Sequence, residues 1–218
     1  MNEVLLEAQS LSMHFGGVIA VDNISITLQR KNFRCIIGPN GAGKSTLFNM
    51  IAGTLRPTSG TIRYEGQNII GLPLYGYARI GIARKFQVPS MFPSLVVQDN
   101  LEVAARSSQP KSERSDRIEH LLETLGLADS YNINAGELSH GQKQWLEIGM
   151  ALMPEPKLLL LDEPTAGMTL EETDKTAELL FGLRDELTIL AIEHDMRFVR
   201  ALDCHTSVLH RGQIIADG

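Results

Sequence analysis

The chain has 218 residues, and its 20 Lys and Arg against 26 Asp and Glu leave a formal charge of −6. With 43% hydrophobic and 21% charged residues it has the balance of a globular protein large enough to bury its own core, which excludes disordered and collagen-like chains. Net acidity argues against a nucleic-acid backbone as the main partner, and two cysteines, Cys35 and Cys204, are too few for a disulfide framework or a zinc cluster.

Residues 5–15 read as a strand broken by Gly16-Gly17, and 23–28 alternate through Ile24, Ile26 and Leu28 as a second. Residues 33–37 are a short buried-type run in which Cys35 is a small core residue. A helix over 44–52 is stopped by Gly53, and 60–67 read as an edge strand between turns. After Gln87 the pattern becomes helical: 97–106, 112–125 with Ile118, Leu121, Leu122 and Leu125 on one face, and 141–152 before Pro154. Strand and helix then alternate: strand 158–161, helix 171–187, strand 188–192, short helix 196–202, and a hairpin of 205–209 and 213–216 around Arg211-Gly212. This order predicts an α/β core, residues 1–87 and 153–218, with an all-helical subdomain inserted at 88–152. No apolar run approaches the about 18 residues of a spanning helix. Glu3 and Glu7 stand where a signal peptide would be basic and then apolar, so a soluble, reduced, cytoplasmic chain is expected.

Gly38-Pro39-Asn40-Gly41-Ala42-Gly43-Lys44-Ser45 fits G-x-x-x-x-G-K-[ST] at every fixed position, between a buried strand and a helix that continues into Thr46. Glycines let successive amides face one oxygen-rich ligand, the helix N-terminus adds positive potential, Lys44 reaches the outer phosphates, and Ser45 can sit on Mg²⁺. The loop predicts nucleoside triphosphate binding and fits a GTPase, a kinase, a motor or a transporter ATPase. The apolar run Leu158-Leu159-Leu160-Leu161 ends in Asp162-Glu163. In a parallel sheet that end would lie beside the loop, with Asp162 in the metal shell and Glu163 orienting or deprotonating water, which favours hydrolysis over transfer.

Between these elements stands Leu138-Ser139-His140-Gly141-Gln142, which resembles the LSGGQ signature of ABC-type ATPases. Further pieces follow in the family's order: Phe15 where an aromatic stacks on adenine, Gln87 as the Q-loop glutamine, Ala166-Gly167-Met168-Thr169 at the D-loop, and His194 as the switch histidine. The resemblance implies a phosphate-loop (RecA-like) ATPase core with antiparallel N-terminal strands. It gives Glu163, His194 and Gln87 catalytic roles, and nucleotide contacts to Phe15, Gly38, Pro39, Asn40, Gly41, Ala42, Gly43, Lys44, Ser45 and Thr46. Ser139, Gly141 and Gln142 would contact the ATP of a second subunit, and Mg²⁺ would be held by Ser45, Gln87 and Asp162. His140, in place of the usual glycine, either approaches nucleotide or fills space at the interface, and Trp145 reads as core.

The stretch from Leu138 to Met150, with Glu171-Glu172-Thr173 and Glu193-His194-Asp195-Met196, is similar to one of the ATP-binding subunits of bacterial urea importers, themselves close to the branched-chain amino-acid importer ATPases. This implies ATP hydrolysis driving uptake of a small polar solute, urea first and branched-chain amino acids as the alternative. The implied partners are a second ATP-binding subunit, transmembrane permease subunits and, indirectly, a solute-binding protein outside the membrane, with the chain peripheral on the inner face of the cell membrane and no nucleic acid involved. A non-transport ABC ATPase and an ATP-binding regulatory module are the alternatives from other classes. The sequence departs from the family at Thr169-Leu170, where the D-loop usually ends in Asp. It also stops at Ala216-Asp217-Gly218, short of where members usually end, as a naturally short or a trimmed chain would.

Overall fold

The structure, a computed structural model, describes residues 3–85, 91–105 and 111–218. Strands β1 (Val4–Phe15), β2 (Val18–Gln29), β4 (Ser59–Tyr64) and β5 (Gln67–Asn68) make an antiparallel sheet in the order β2-β1-β4-β5. A second sheet runs β10-β9-β3-β8-β7-β6, built from β3 (Phe33–Ile37), β6 (Ile82–Lys85), β7 (Leu158–Asp162), β8 (Thr188–Ile192), β9 (His205–His210) and β10 (Gln213–Asp217). Its pairings are parallel except β9 with β10.

Helix α1 (Lys44–Ile51) follows β3, and α2 (Leu74–Arg79) precedes β6. Between β6 and its neighbour β7 the chain makes a long helical crossover: α3 (Val97–Ala105), α4 (Lys111–Thr124), two single 3-10 turns, and α5 (His140–Leu152). Helices α6 (Leu170–Gly182) and α7 (Met196–Leu202) flank β8 in sequence.

The leucine run of β7 shows why the sheet needs cover on both faces. Leu158 and Leu160 join one apolar cluster with Leu47, Phe48 and the inner face of the antiparallel sheet. Leu159 and Leu161 join the other, with Leu101, Leu125, Leu146, Leu180 and Phe198 from the helices. Side chains alternate along a strand, so a strand buried on both faces reads as an unbroken apolar run.

Several expectations are corrected. The second strand begins at Val18, because Gly16-Gly17 makes a tight turn and Asn23, at φ 51°, interrupts the alternation that otherwise marks it. The expected strand 60–67 is two strands, since Glu65 and Gly66 both take positive φ and turn the chain. Its main part, β4, lies inside the sheet between β1 and β5 and is not an edge. The helix expected to reach 187 ends at Gly182, a poor helix former, and 183–187 form turns. Helix α2 and strand β6 were not anticipated; both are short, and β6 is an edge strand.

Cys35 is fully buried as expected, with its Sγ 3.3 Å from that of Cys204. Leu160 is fully buried at the centre of this packing. Leu160→Ala is expected to cost about 2–5 kcal/mol, read as a lower denaturant midpoint with unchanged slope.

Candidate nucleotide site

The phosphate loop leaves the end of β3 and is gripped by backbone on two sides. A Cβ at Gly38 would lie 2.2 Å from the carbonyl oxygen of Leu209, and one at Gly43, where φ is 102°, would lie 2.3 Å from that of Ala20. No side chain fits at either position without moving main chain. The Gly212 amide donates to the Ala42 carbonyl at 2.9 Å, so the turn between β9 and β10 braces the loop from outside. Lys44 Nζ, buried, donates to the carbonyls of Gly38 at 2.7 Å and Pro39 at 3.1 Å. Gly43 caps α1 with no side-chain acceptor, so the first-turn amides of that helix keep their positive potential for an anion. Pro39, Asn40, Gly41 and Ser45 are exposed along the cradle, and Thr46 is half-buried. Phe15 ends β1 with 48% of its surface open, in the same antiparallel ribbon as Ala20.

Parallel register brings the remaining chemistry to the same sheet edge. Asp162 closes β7 opposite Ile192 of β8, and β8 lies between β7 and β3. Asp162 is buried, its Oδ2 3.9 Å from Arg84 Nη2, and its Oδ1 is buried with no hydrogen-bond partner among the described residues. Burial holds its carboxyl above the usual carboxylate range, with Arg84 opposing and Glu163 adding to the rise. An orphaned carboxylate oxygen at the strand end and an exposed serine hydroxyl on the loop are oxygen donors of the kind that suits Mg²⁺, which binds through one or two protein oxygens and substrate phosphates.

Glu163 adopts φ 48° at the strand end, and its Oε1 lies 3.6 Å from His194 Nδ1. The position of His194 depends on Glu193, whose fully buried carboxylate accepts from the amides of His194 at 2.8 Å and Asp195 at 3.2 Å. Its other oxygen accepts from Thr165 N at 3.0 Å and Thr165 Oγ1 at 2.5 Å, which ties the loop after β7 to the loop after β8. Glu193 was quoted in the sequence only as part of a pattern; its place after a run of fully buried strand residues was the available signal.

Ser139 caps α5 in a capping box with Gln142: the Gln142 amide donates to Ser139 Oγ, and the Ser139 amide to Gln142 Oε1. The side-chain carbonyl of Gln142 is therefore engaged within its own helix. His140 Nε2 is 2.9 Å from the Ala166 carbonyl, so the imidazole lies on the 166–169 loop. Trp145 is buried as expected, and its Nε1 donates to Thr176 Oγ1. A buried ion pair between Lys85 Nζ and Glu147, at 3.6 Å, links the end of β6 to α5. Gln87, two positions past β6, lies outside the described residues. Among the described residues, no hydrogen bond or ion pair joins Ser139, Gly141 or Gln142 to the phosphate loop; their contacts beyond their own helix run to Glu172.

A family profile described as ABC transporter matches residues 21–166. The chain belongs to that family. The branched-chain amino acid transport ATP-binding protein BraF of Pseudomonas aeruginosa is 39% identical over all of this chain and 92% of its own length. The ADP conformation of the ATP-binding cassette MJ1267 superposes with a TM-score of 0.87 at 33% identity, over 99% of this chain and 91% of that one. The dimeric cassette MJ0796, bound to ADP and Pi, superposes at 0.84 with 25% identity, over 98% of each chain. The fold is that of an ABC ATPase, with the expected antiparallel N-terminal strands, and the chain is an ATPase subunit of the type that includes BraF.

Because the folded-state value of Asp162 is raised, its ionised form costs stability at neutral pH, and that cost disappears as pH falls below the unfolded value of about 3.9. Asp162→Asn is expected to stabilise the nucleotide-free protein at pH 7, with the gain fading towards about pH 3. Melting curves across pH check it.

Proposed function

We propose that this chain powers an importer by hydrolysing ATP between two cassettes, docked through permease subunits on the inner face of the membrane. The observation that carries this reading is the separation within one chain. Phosphate loop, Asp162, Glu163 and His194 share one sheet edge, while among the described residues the donors of the signature, Ser139 and the Gly141 amide, make their hydrogen bonds elsewhere, to Glu172. A second cassette offering its signature to this loop would complete the site, an arrangement compatible with the dimeric state of MJ0796. No helix among the described residues is long and apolar enough to cross a membrane.

Lys44 and the loop amides bind the phosphates, and Phe15 offers an exposed ring for the base. Ser45, Asp162 and Gln87 would hold Mg²⁺, which neutralises charge developing on the phosphoryl oxygens. Glu163 takes the proton of the attacking water, and His194, beside Glu163 Oε1, holds water and γ-phosphate in line. Loss of the γ-phosphate removes what both cassettes grip, so the pair opens. The helical segment 88–152, with Gln87 at its start, passes that opening to the permease.

For the solute, BraF supports branched-chain amino acids. Urea is a second reading, carried by the run from Leu138 to Met150 with His140 in the signature. Cells whose genomic copy is deleted are expected to lose uptake of labelled leucine under the first reading and of labelled urea under the second. For the isolated protein, Glu163→Gln is expected to slow ATP turnover by roughly 10²-fold or more and to form a dimer dependent on ATP-Mg²⁺ on size exclusion. Turnover like the wild type would remove Glu163 from its role.

A further inference from the structure

One carboxylate joins the signature to the 166–169 loop. Glu172 Oε1 accepts from the Gly141 amide at 3.1 Å and from Ser139 Oγ at 3.2 Å. Its Oε2 accepts from the amide of Thr169 at 3.0 Å and from Thr169 Oγ1 at 3.1 Å. A Cβ at Gly141 would lie 2.5 Å from Oε1, so the carboxylate rests against bare backbone that only glycine leaves open. It sits at the N-termini of both α5 and α6, where two helices favour negative charge. The hydrogen bonds from Thr169 first, then those from Gly141 and Ser139, hold its carboxyl below the usual range, so it is ionised at neutral pH.

We propose that Glu172 is a built-in stand-in for phosphate: it occupies the signature's donors in the separate subunit and yields them when a second subunit presents bound ATP. The inference deepens the two-cassette reading above and rests on it. A phosphate oxygen arriving at Ser139 and Gly141 meets the same two donors that Oε1 already holds, and two anions cannot share them. Displacement therefore turns Oε1 away from α5 while Oε2 remains on Thr169. Glu172 is thus a positioning residue, acting on nucleotide through Ser139 and Gly141. Its second oxygen makes the 166–169 loop respond to what the signature holds. This loop also carries the Ala166 carbonyl that meets His140, so the same displacement loads the His140 contact. The competition keeps the signature ordered but raises the ATP concentration needed for closure.

The test uses full-length protein in which Glu163→Gln preserves the ATP-bound pair, with Glu172→Ala or Glu172→Gln added. The ATP-Mg²⁺ concentration giving half dimer, read by light scattering, is expected to fall about three- to tenfold for Glu172→Ala. Glu172→Gln, neutral but able to accept one bond, is expected to shift it less. In the wild-type background the same changes lower the KM for ATP with little change in kcat. Nucleotide affinity of the monomer, measured by fluorescence with a labelled ATP, reports that each variant is folded. An unchanged or higher ATP requirement, with monomer binding intact, overturns the proposal and makes Glu172 a latch between α5 and α6. A Glu163→Gln protein that never dimerises with ATP overturns the two-cassette reading and this inference together. A variant that loses monomer binding is replaced by Glu172→Asp, whose shorter side chain draws the carboxylate back from Ser139 and Gly141; it must lower the ATP requirement for dimerisation, and an unchanged requirement overturns the proposal.

Discussion

The parallel register of β3, β8 and β7 is the constraint on which the site depends. Parallel strands end at a common edge, so the phosphate loop after β3, Glu193-His194 after β8 and Asp162-Glu163 at the end of β7 are brought together without contacts between distant loops having to create the alignment. The register of β7 is secured at its ends, since four leucines serve either face but a slip of one residue would carry Asp162 to the place of Leu161 in an apolar cluster. The polar residues are held after the strands end, by Glu193 and by the carbonyls that crowd Gly38 and Gly43.

The molecule concentrates its unfavourable electrostatics where phosphate chemistry requires them. Asp162 is buried with one oxygen unpartnered, Glu163 is held at positive φ, and the first turn of α1 has no side-chain cap. Each feature costs the nucleotide-free protein stability, and the unpartnered Asp162 oxygen and the uncapped amides are open to a divalent cation and a phosphate. The signature region is arranged in the opposite way. Ser139, Gly141 and Thr169 already have an anion in Glu172, so this half of the composite site is satisfied before any partner arrives. The two halves therefore differ in what they gain on closure. In the proposed pair of cassettes, the loop half gains a ligand outright, and the signature half exchanges one anion for another.

The linkage between these halves runs through packed elements. Lys85 and Glu147 join β6, which leads to Gln87, to the body of α5, and Trp145 joins α5 to α6 through Thr176. Both links are buried, so α5 moves with β6 and α6 or breaks costly contacts. Thr169, the departure from the family's usual D-loop aspartate, acts as the cap of α6, and its hydroxyl and amide also hold Glu172.

By itself the sequence determined the α/β order, the phosphate loop, the strand ending in Asp162-Glu163 and the signature, because each depends on local spacing: apolar runs, glycines at fixed intervals, a cap before a helix. It also marked Trp145 as core. Tertiary structure alone decided the rest. Strand β4 became internal because β5 pairs outside it, and β6 became a strand because β7 offers it an edge; neither is written in local propensity. The bonds of Glu193 to Thr165, the Lys85 pair, the His140 contact with Ala166 and the bonds of Glu172 to Ser139 and Gly141 all join residues far apart in the chain, whereas the bonds of Glu172 to Thr169 are a local capping box. A carboxylate in a sequence looks the same whether solvent or two helix ends surround it, and only the fold distinguishes the two.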